Sequence, residues 1–349
     1  MFDKMSEKLI SNRSDLQFVP ESYILPPGTR PGNTQVSVME VIPVIDFQLL
    51  GTNRPQLIKQ IIEASQEFGF FQLINHGVED NLLHKVLDVA NEFFEQPYED
   101  KASMYSEDVE QSCRLYTSID YNKEKVHFWR DNLRHPCHPL EQHIHFWPQK
   151  PPQYREVVGS YSVEARKLSI LLLDLIGEGL GLESGFFGDE LTEVQVMGIN
   201  YYPPCPDPSL TLGLPKHSDV NLITLLLQGE EVHGLQVLKD GQWLAVEPVP
   251  NAFVVNIGHT LQIISNGKLG SAEHRVMTNE KVSRTTVGSF IHPSSNYLVE
   301  PAKALLDRDC SSSPLFRAFV YKDFVSTYVT NTHEGVPPLE PHKIQPRSI

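Results

Sequence analysis

His217 and Asp219 stand two apart in Leu214-Pro-Lys-His217-Ser-Asp219-Val, where a proline-rich loop gives way to an apolar run. On an extended backbone residues i and i+2 share a face, so the imidazole and the carboxylate project together and can fill two corners of a divalent metal site. A second imidazole would complete a 2-His-1-carboxylate set, which leaves one face of an octahedral ferrous ion open for reactants. His274, in Ser271-Ala-Glu-His274-Arg-Val, is the candidate for that third ligand. His-x-Asp by itself arises by chance, and its surroundings decide its worth.

The other histidines make weaker cases. His135, Cys137, His138, His143 and His145 form the densest His/Cys cluster, but their spacing is not that of a zinc site, and a solvated loop is the expectation. His76, between Asn75 and Gly77, reads as a turn histidine. Gly177, Gly179 and Gly181 resemble a nucleotide loop only superficially, because they end a helical pattern instead of joining a strand to a helix.

The metal candidates need a rigid frame, and the second half of the chain supplies strand patterns for one. Short runs at Val194 to Tyr202, Leu222 to Leu227, Leu235 to Leu238, Trp243 to Val246, Ala252 to Ile257, Gln262 to Ile264, His274 to Thr278 and Thr285 to Phe290 follow one another closely. Asp240-Gly241 marks a hairpin between two of them. Such a succession predicts a jelly-roll, cupin-like barrel in a mainly β fold with flanking helices, an α+β chain. Helical spacing appears at Leu57 to Phe68, Asp80 to Phe94, Tyr154 to about Leu182, and Pro314 to Val329. Four regions result. Residues 1–40 read as a flexible N-terminal arm, 41–190 as a mixed α/β region packing on the barrel, 191–295 as the catalytic barrel, and 296–349 as a C-terminal helix and frayed tail. Residues 95–150 show little periodicity and read as a substrate-covering insertion or a surface loop.

A formal net charge of −15 opposes polyanionic partners, so neither nucleic acid nor an anionic membrane surface is expected. No signal-peptide pattern and no membrane-spanning run is present, which predicts a cytoplasmic protein, expected to be a monomer acting on a small molecule. Cys113, Cys137, Cys205 and Cys310 are widely spaced without a Cys-x-x-Cys pair and read as reduced thiols.

Ile42-Pro-Val-Ile-Asp-Phe, Gly69-Phe-Phe-Gln-Leu-Ile-Asn-His-Gly, Asn200-Tyr-Tyr-Pro-Pro-Cys-Pro, His217-Ser-Asp219, Asn256-Ile-Gly and His274-Arg-Val occur together in this order. With them the chain resembles the plant 2-oxoglutarate- and Fe(II)-dependent dioxygenases from about Ile42 to Val329. It looks closest to the hyoscyamine 6-hydroxylase-like and flavone-synthase-like branches. The resemblance implies a double-stranded β-helix whose mouth holds Fe(II) through His217, Asp219 and His274. It implies 2-oxoglutarate held by Arg284, with Thr286, Asn200 and Tyr202 beside it, O2 as oxidant and ascorbate as activator. The family pattern has Arg-x-Ser where this chain has Arg284-Thr-Thr286, which keeps the hydroxyl and adds a methyl group. His259 stands where many relatives carry an acidic residue, and an exposed loop position is expected for it.

The activity implied is hydroxylation, or further oxidation, of a plant specialised metabolite with decarboxylation of 2-oxoglutarate to succinate and CO2. An alkaloid is the expected substrate. Oxidation of a flavonoid or other phenolic by hydroxylation or desaturation is the alternative, as is a catalytically silent barrel that binds a small molecule. By family architecture Tyr116, Phe128, Phe290 and Tyr321 would supply aromatic substrate walls. Asp120 and Glu124 could pair with an ammonium group, but in so acidic a chain solvated surface acids are the expectation.

Overall fold

Residues 8–13, 16–32, 42–229, 233–308, 313–334 and 336–344 are described in the structure, a computed structural model. Short β-branched and aromatic runs form fourteen strands among them. In chain order they are β1 (Val44–Asp46), β2 (Phe70–Ile74), β3 (Arg114–Thr117), β4 (Asp131–Pro136), β5 (Val194–Tyr202), β6 (Leu214–His217) and β7 (Ile223–Gln228). Then come β8 (Leu235–Lys239), β9 (Gln242–Ala245), β10 (Phe253–Ile257), β11 (His274–Val276), β12 (Arg284–His292), β13 (Leu298–Val299) and β14 (Phe319–Val320).

Eight strands make one sheet in the order β1-β2-β10-β7-β12-β5-β4-β3, and four make a second in the order β6-β11-β8-β9. Between β5 and β12 the chain contributes four strands to each sheet, and the pairing of first with last (β5 with β12) and second with next-to-last (β6 with β11) is that of a jelly roll. This is the expected double-stranded β-helix. Asp240 and Gly241, both at positive φ, close the β8–β9 hairpin, as the Asp-Gly pair predicts.

The helices cover the large sheet. The Arg54–Glu67 helix starts where the Asn53 side chain accepts the Gln56 N–H at 3.3 Å. It and the Asp80–Glu95 helix pack against the Tyr154–Leu180 helix, which lies on β7 and β12. That long helix buries Val158, Tyr161, Ala165, Leu168, Leu172 and Leu175 on one stripe. Gly181, at φ 71°, then turns the chain away, with the Leu182 N–H donating back to the Gly177 carbonyl at 2.8 Å.

Several elements depart from the sequence expectations. Gln262 to Ile264 belongs to a helix, His259–Ile264, because a short buried apolar run carries no period that separates helix from strand. The C-terminal helix starts at Tyr321, later than expected, since Phe319–Val320 pairs with Leu298–Val299 first. The tail is docked as far as 344: Phe316 bridges to Lys343, and His342 lies 4.4 Å from the Phe319 ring. The described part of the N-terminal arm is also anchored. Ile10, Val19 and Tyr23 are buried with Trp129 and Cys205, and the Ile10 and Ser11 N–H groups donate to the Asp131 carboxylate at 3.1 and 2.8 Å. Residues 1–7, 14–15 and 33–40 of that arm and Cys310 lie outside the described residues. Cys113, Cys137 and Cys205 are free and buried.

The largest difference is in residues 95–150, where β3 and β4 extend the large sheet by pairing onto β5. Strand β4 carries His135, which is a core residue: it is fully buried, its ring centroid lies 4.2 Å from that of Trp147, and its Nε2 bonds the Tyr154 hydroxyl at 2.8 Å. Burial holds its pKa at about 3 against an ordinary 6.5, so the folded state keeps it neutral. Between pH 6.5 and about 3 the unfolded chain binds the proton and the folded chain does not, so stability is complete above 6.5 and falls as the pH drops through that window. His135→Asn should therefore flatten the acid side of the urea-stability profile by up to about 1.4 kcal/mol per pH unit, even if it lowers stability at neutral pH. Equal slopes for the two proteins would show that His135 does not carry this linkage.

Candidate active site

Antiparallel pairing of β6 with β11 sets His217 directly opposite His274, with ring centroids 4.1 Å apart. Asp219 follows β6 by two residues, and the three ligand-capable atoms lie within 4.8 Å of one another. No other His/Cys/Asp/Glu group among the described residues converges in this way.

Each side chain is held with one atom spare. His217 Nδ1 is bonded to the Pro215 carbonyl at 2.8 Å and His274 Nδ1 to the Ala272 carbonyl at 3.2 Å, so both rings keep Nε2 for a ligand. Asp219 Oδ2 accepts from the Thr224 hydroxyl at 2.7 Å and from Asn256 Nδ2 at 3.1 Å. Asp219 Oδ1 is then left facing His217 Nε2 at 3.9 Å and His274 Nε2 at 3.7 Å, too far for hydrogen bonds and close to the spacing of atoms that share one ion. Two imidazoles and a carboxylate suit Fe(II). Burial, and then the His274 ring, depress the His217 pKa to about 3, which favours the unprotonated ligand form. Burial alone would raise the Asp219 carboxyl, but the two imidazoles and the two donated bonds outweigh it and hold it below its usual range.

The Asp219 loop is pinned from behind. Its carbonyl accepts the His259 N–H at 2.8 Å, and the Tyr328 hydroxyl donates to the Ser218 carbonyl. Gly258 packs so closely that an added Cβ would stand 1.9 Å from the Asn221 oxygen. His259 is thus buried, not the exposed loop residue expected, because its short helix tucks it between Phe324 and Tyr328. It is not part of the metal cluster.

A second polar group lies farther along the large sheet. Thr286 pairs with Asn200 and Arg284 with Tyr202 across β12 and β5, and all four side chains line one cavity with the metal cluster. Arg284 is 3% exposed, and among the described residues no carboxylate pairs with it. Its Nη2 donates to Gln228 Oε1 at 2.9 Å, while its Nε has no partner. Asn200 Nδ2 donates to Thr286 Oγ1 at 3.2 Å, which leaves the Thr286 hydroxyl proton for a ligand. A buried guanidinium with an unused donor and a neighbouring free hydroxyl fits a carboxylate.

Of the four expected aromatic walls, Tyr116 and Phe290 line the cavity. Phe290 lies over Gly198 and Gly288, where an added Cβ would meet its ring at 3.1 and 2.9 Å, so these glycines make its space. Phe128 and Tyr321 do not line the cavity. Phe128 belongs to a loop where its N–H donates to Ser118 Oγ at 2.7 Å, and Tyr321 is buried behind His292, bonded to its Nδ1 at 2.7 Å. Sequence reasoning missed Arg130, Asn132, Arg134, His292 and Tyr328, all of which line the cavity. His292 was within reach, two residues beyond Phe290 on the same strand face. Asp120 and Glu124 are occupied elsewhere: Asp120 pairs with Lys123 at 2.8 Å, and Glu124 accepts the Ile119 and Asp120 N–H groups at 2.9 and 2.6 Å.

Residues 193–293 match the 2OG-Fe(II) oxygenase superfamily, and residues 42–153 match the N-terminal region described as non-haem dioxygenase in morphine synthesis. The chain is 44% identical to Protein DOWNY MILDEW RESISTANCE 6 of Arabidopsis thaliana, over 93% of this chain and 95% of that one. It is 42% identical to hyoscyamine 6-dioxygenase of Hyoscyamus niger (93% and 96%) and 42% identical to flavanone 3-dioxygenase 2 of Oryza sativa subsp. japonica (89% and 90%). This chain belongs to the 2OG-Fe(II) oxygenase superfamily. It is a dioxygenase that uses Fe(II) and 2-oxoglutarate. The crystal structure of JOX2 in complex with 2OG, Fe and JA superposes with a TM-score of 0.85 at 31% identity, covering 99% of this chain and 97% of that one.

In this dioxygenase the Thr224 hydroxyl should matter to the metal without touching it. Thr224→Val should weaken Fe(II) binding about ten- to a hundredfold in an anaerobic calorimetric titration, because Asp219 loses the bond that orients it. Unchanged affinity would mean that Asp219 is oriented by other contacts.

Proposed function

We propose that His217, Asp219 and His274 hold the Fe(II), that Arg284 with Thr286, Asn200 and Tyr202 holds 2-oxoglutarate, and that the enzyme hydroxylates an aromatic specialised metabolite. The carrying observation is the fully buried guanidinium of Arg284, with its Nε unpartnered, in the same cavity as the metal cluster. A structural metal site needs no such anion receptor beside it, and a hydrolase has no co-substrate carboxylate to seat.

Iron in this site supplies the activation of O2 coupled to decarboxylation of 2-oxoglutarate to succinate and CO2. The chain's own part is positioning. His217 and His274 present Nε2 from adjacent strands, and Asp219 presents one oxygen while Thr224 and Asn256 occupy the other. Arg284 and the Thr286 hydroxyl receive the distal carboxylate, and the Tyr202 ring, 5.4 Å from the guanidinium, closes that end against water. Asn200 is itself oriented, accepting from Asn132 Nδ2 at 2.6 Å and Arg130 Nη1 at 3.1 Å. Phe290 and Tyr116 offer ring faces to a flat substrate.

For the substrate, two of the three named relatives differ, a hyoscyamine 6-dioxygenase and a flavanone 3-dioxygenase at equal identity. Asp219 is the one carboxylate among the cavity-lining residues, and it belongs to the metal cluster, so an ammonium group finds no partner there. This favours the phenolic alternative over the alkaloid. No helix among the described residues is long and apolar enough to cross a membrane. A cytoplasmic monomer is the reading we carry forward, and fractionation and light scattering check it.

Removal of the co-substrate anchor is the direct test. Arg284→Ala should raise the 2-oxoglutarate KM for succinate formation at least about thirtyfold, from the roughly 2–5 kcal/mol lost when one partner of a buried charge pair is removed. Thr286→Val should cost under about tenfold, the worth of a single neutral hydrogen bond. An unchanged KM in Arg284→Ala would remove Arg284 from this role.

A further inference from the structure

The cavity carries more positive charge than 2-oxoglutarate uses. Arg130, Arg134 and Arg284 all line it, in a chain of net charge −15, and among the described residues no carboxylate pairs with any of them. Arg284 serves the co-substrate in the reading above. Arg130 is tied to its surroundings, donating to Asn200 Oδ1 and, through Nη2, to the Ser118 carbonyl at 2.6 Å, though its buried Nε has no partner. Arg134 is different. No hydrogen bond or ion pair to a described residue engages its guanidinium, and it is partly exposed at the cavity wall.

Sheet register separates these cations. Arg284 pairs with Tyr202 at one end of β5, while Arg134 pairs with Gly198, four residues back along the same strand. With β4 and β12 on opposite sides of β5, about 3.4 Å per residue along the strand and about 4.8 Å per strand across the sheet put the two backbone positions roughly 17 Å apart, too far for one carboxylate to serve both. The Arg134 end is also where Phe290 lies over Gly198 and Gly288, and where His292 lines the wall. His292 is half-buried and neutral, its pKa pushed down to about 3 by desolvation first and Arg134 second. With Nδ1 taken by the Tyr321 hydroxyl, its Nε2 is the ring nitrogen left for a ligand. A flat ring against Phe290 would thus carry its anionic group toward a free guanidinium and a neutral imidazole.

We propose that Arg134, supported by His292, is a substrate-recognition site for a carboxylate, and that the substrate is an aromatic carboxylic acid. The inference rests on the dioxygenase reading of the same cavity and narrows its substrate class. A guanidinium matches a carboxylate in geometry, and pairing in a cavity of about 230 Å³ excludes an ammonium-bearing ligand and favours a compact ring.

Calorimetric titration tests it, with the full chain loaded with Fe(II) and saturating 2-oxoglutarate under argon. Benzoate, phenylacetate and cinnamate are compared with their primary amides and with benzylamine. At least one aryl carboxylate should bind tenfold or more tighter than its amide and than benzylamine. Arg134→Gln should remove that preference, and Arg134→Lys should recover part of it, which loss of folding would not do. The proposal falls if amides or the amine bind as well as the acids, if no aryl carboxylate binds, or if the preference survives in Arg134→Gln. Failure of the underlying reading looks different: the iron-loaded wild-type protein would then not bind 2-oxoglutarate at all.

Discussion

Pairing of β6 with β11 is the constraint on which the site depends, because it sets two imidazoles opposite each other across the strands before any ligand arrives. A one-residue slip would turn His217 or His274 to the other face of the small sheet. The surroundings resist such a slip. Val276 and Leu235 are buried in one cluster of the small sheet, and the Asp219 loop is fastened by the His259 N–H and the Tyr328 hydroxyl. Gly258 permits that fastening, since any side chain there would collide with the Asn221 backbone. The geometry of the His217–Asp219–His274 cluster is thus a property of strand register plus one crowded turn, and side-chain rotation supplies only the last adjustment.

Across the large sheet the same logic runs sideways. Tyr116, Asn132, Asn200, Thr286 and Gln228 are successive cross-strand partners from β3 to β7, a polar row on the cavity face. At its centre the row is bonded together: Asn132 and Arg130 fix the Asn200 amide, which in turn donates to Thr286. Networks of this kind hold side chains in one arrangement only when nearly every atom is satisfied. The unsatisfied atoms are therefore informative, and Arg284 Nε and Arg130 Nε are both among them.

What was legible in the sequence follows from this architecture. His217 and Asp219 could be read because period-two geometry alone puts neighbours i and i+2 together, and the Asp-Gly hairpin because its turn demands positive φ twice. Strand β4 could not, since its cavity face carries Asn132 and Arg134 and its other face includes Asp131 and His135, so no apolar alternation marks it. Its polarity belongs to the site, and a rule that equates polar runs with surface loops fails where a barrel interior binds polar ligands. His259 was misplaced for a related reason. Its burial depends on a helix more than sixty residues later, and nothing local signals that contact. Phe128 and Tyr321 were assigned by segment and not by the direction of the side chain, which only the register and the loop conformation decide.

Leaving polar donors unpaired in a buried cavity has an energetic consequence for the whole fold. An unsatisfied buried donor costs about 1–3 kcal/mol, and more when it is charged. With net stabilities of about 5–15 kcal/mol, Arg284 and Arg130 alone take a noticeable share of the margin. The apolar core beneath the large sheet, built from the long Tyr154–Leu180 helix with Phe71, Phe93, Phe253 and their neighbours, supplies the offset. A ligand that completes these bonds binds the folded state and not the unfolded one, and so returns stability in proportion to its affinity and concentration. The cavity is therefore built for occupancy: its charges are held apart and oriented by the sheet in the absence of ligand, so a bound carboxylate meets donors that need little reorganisation.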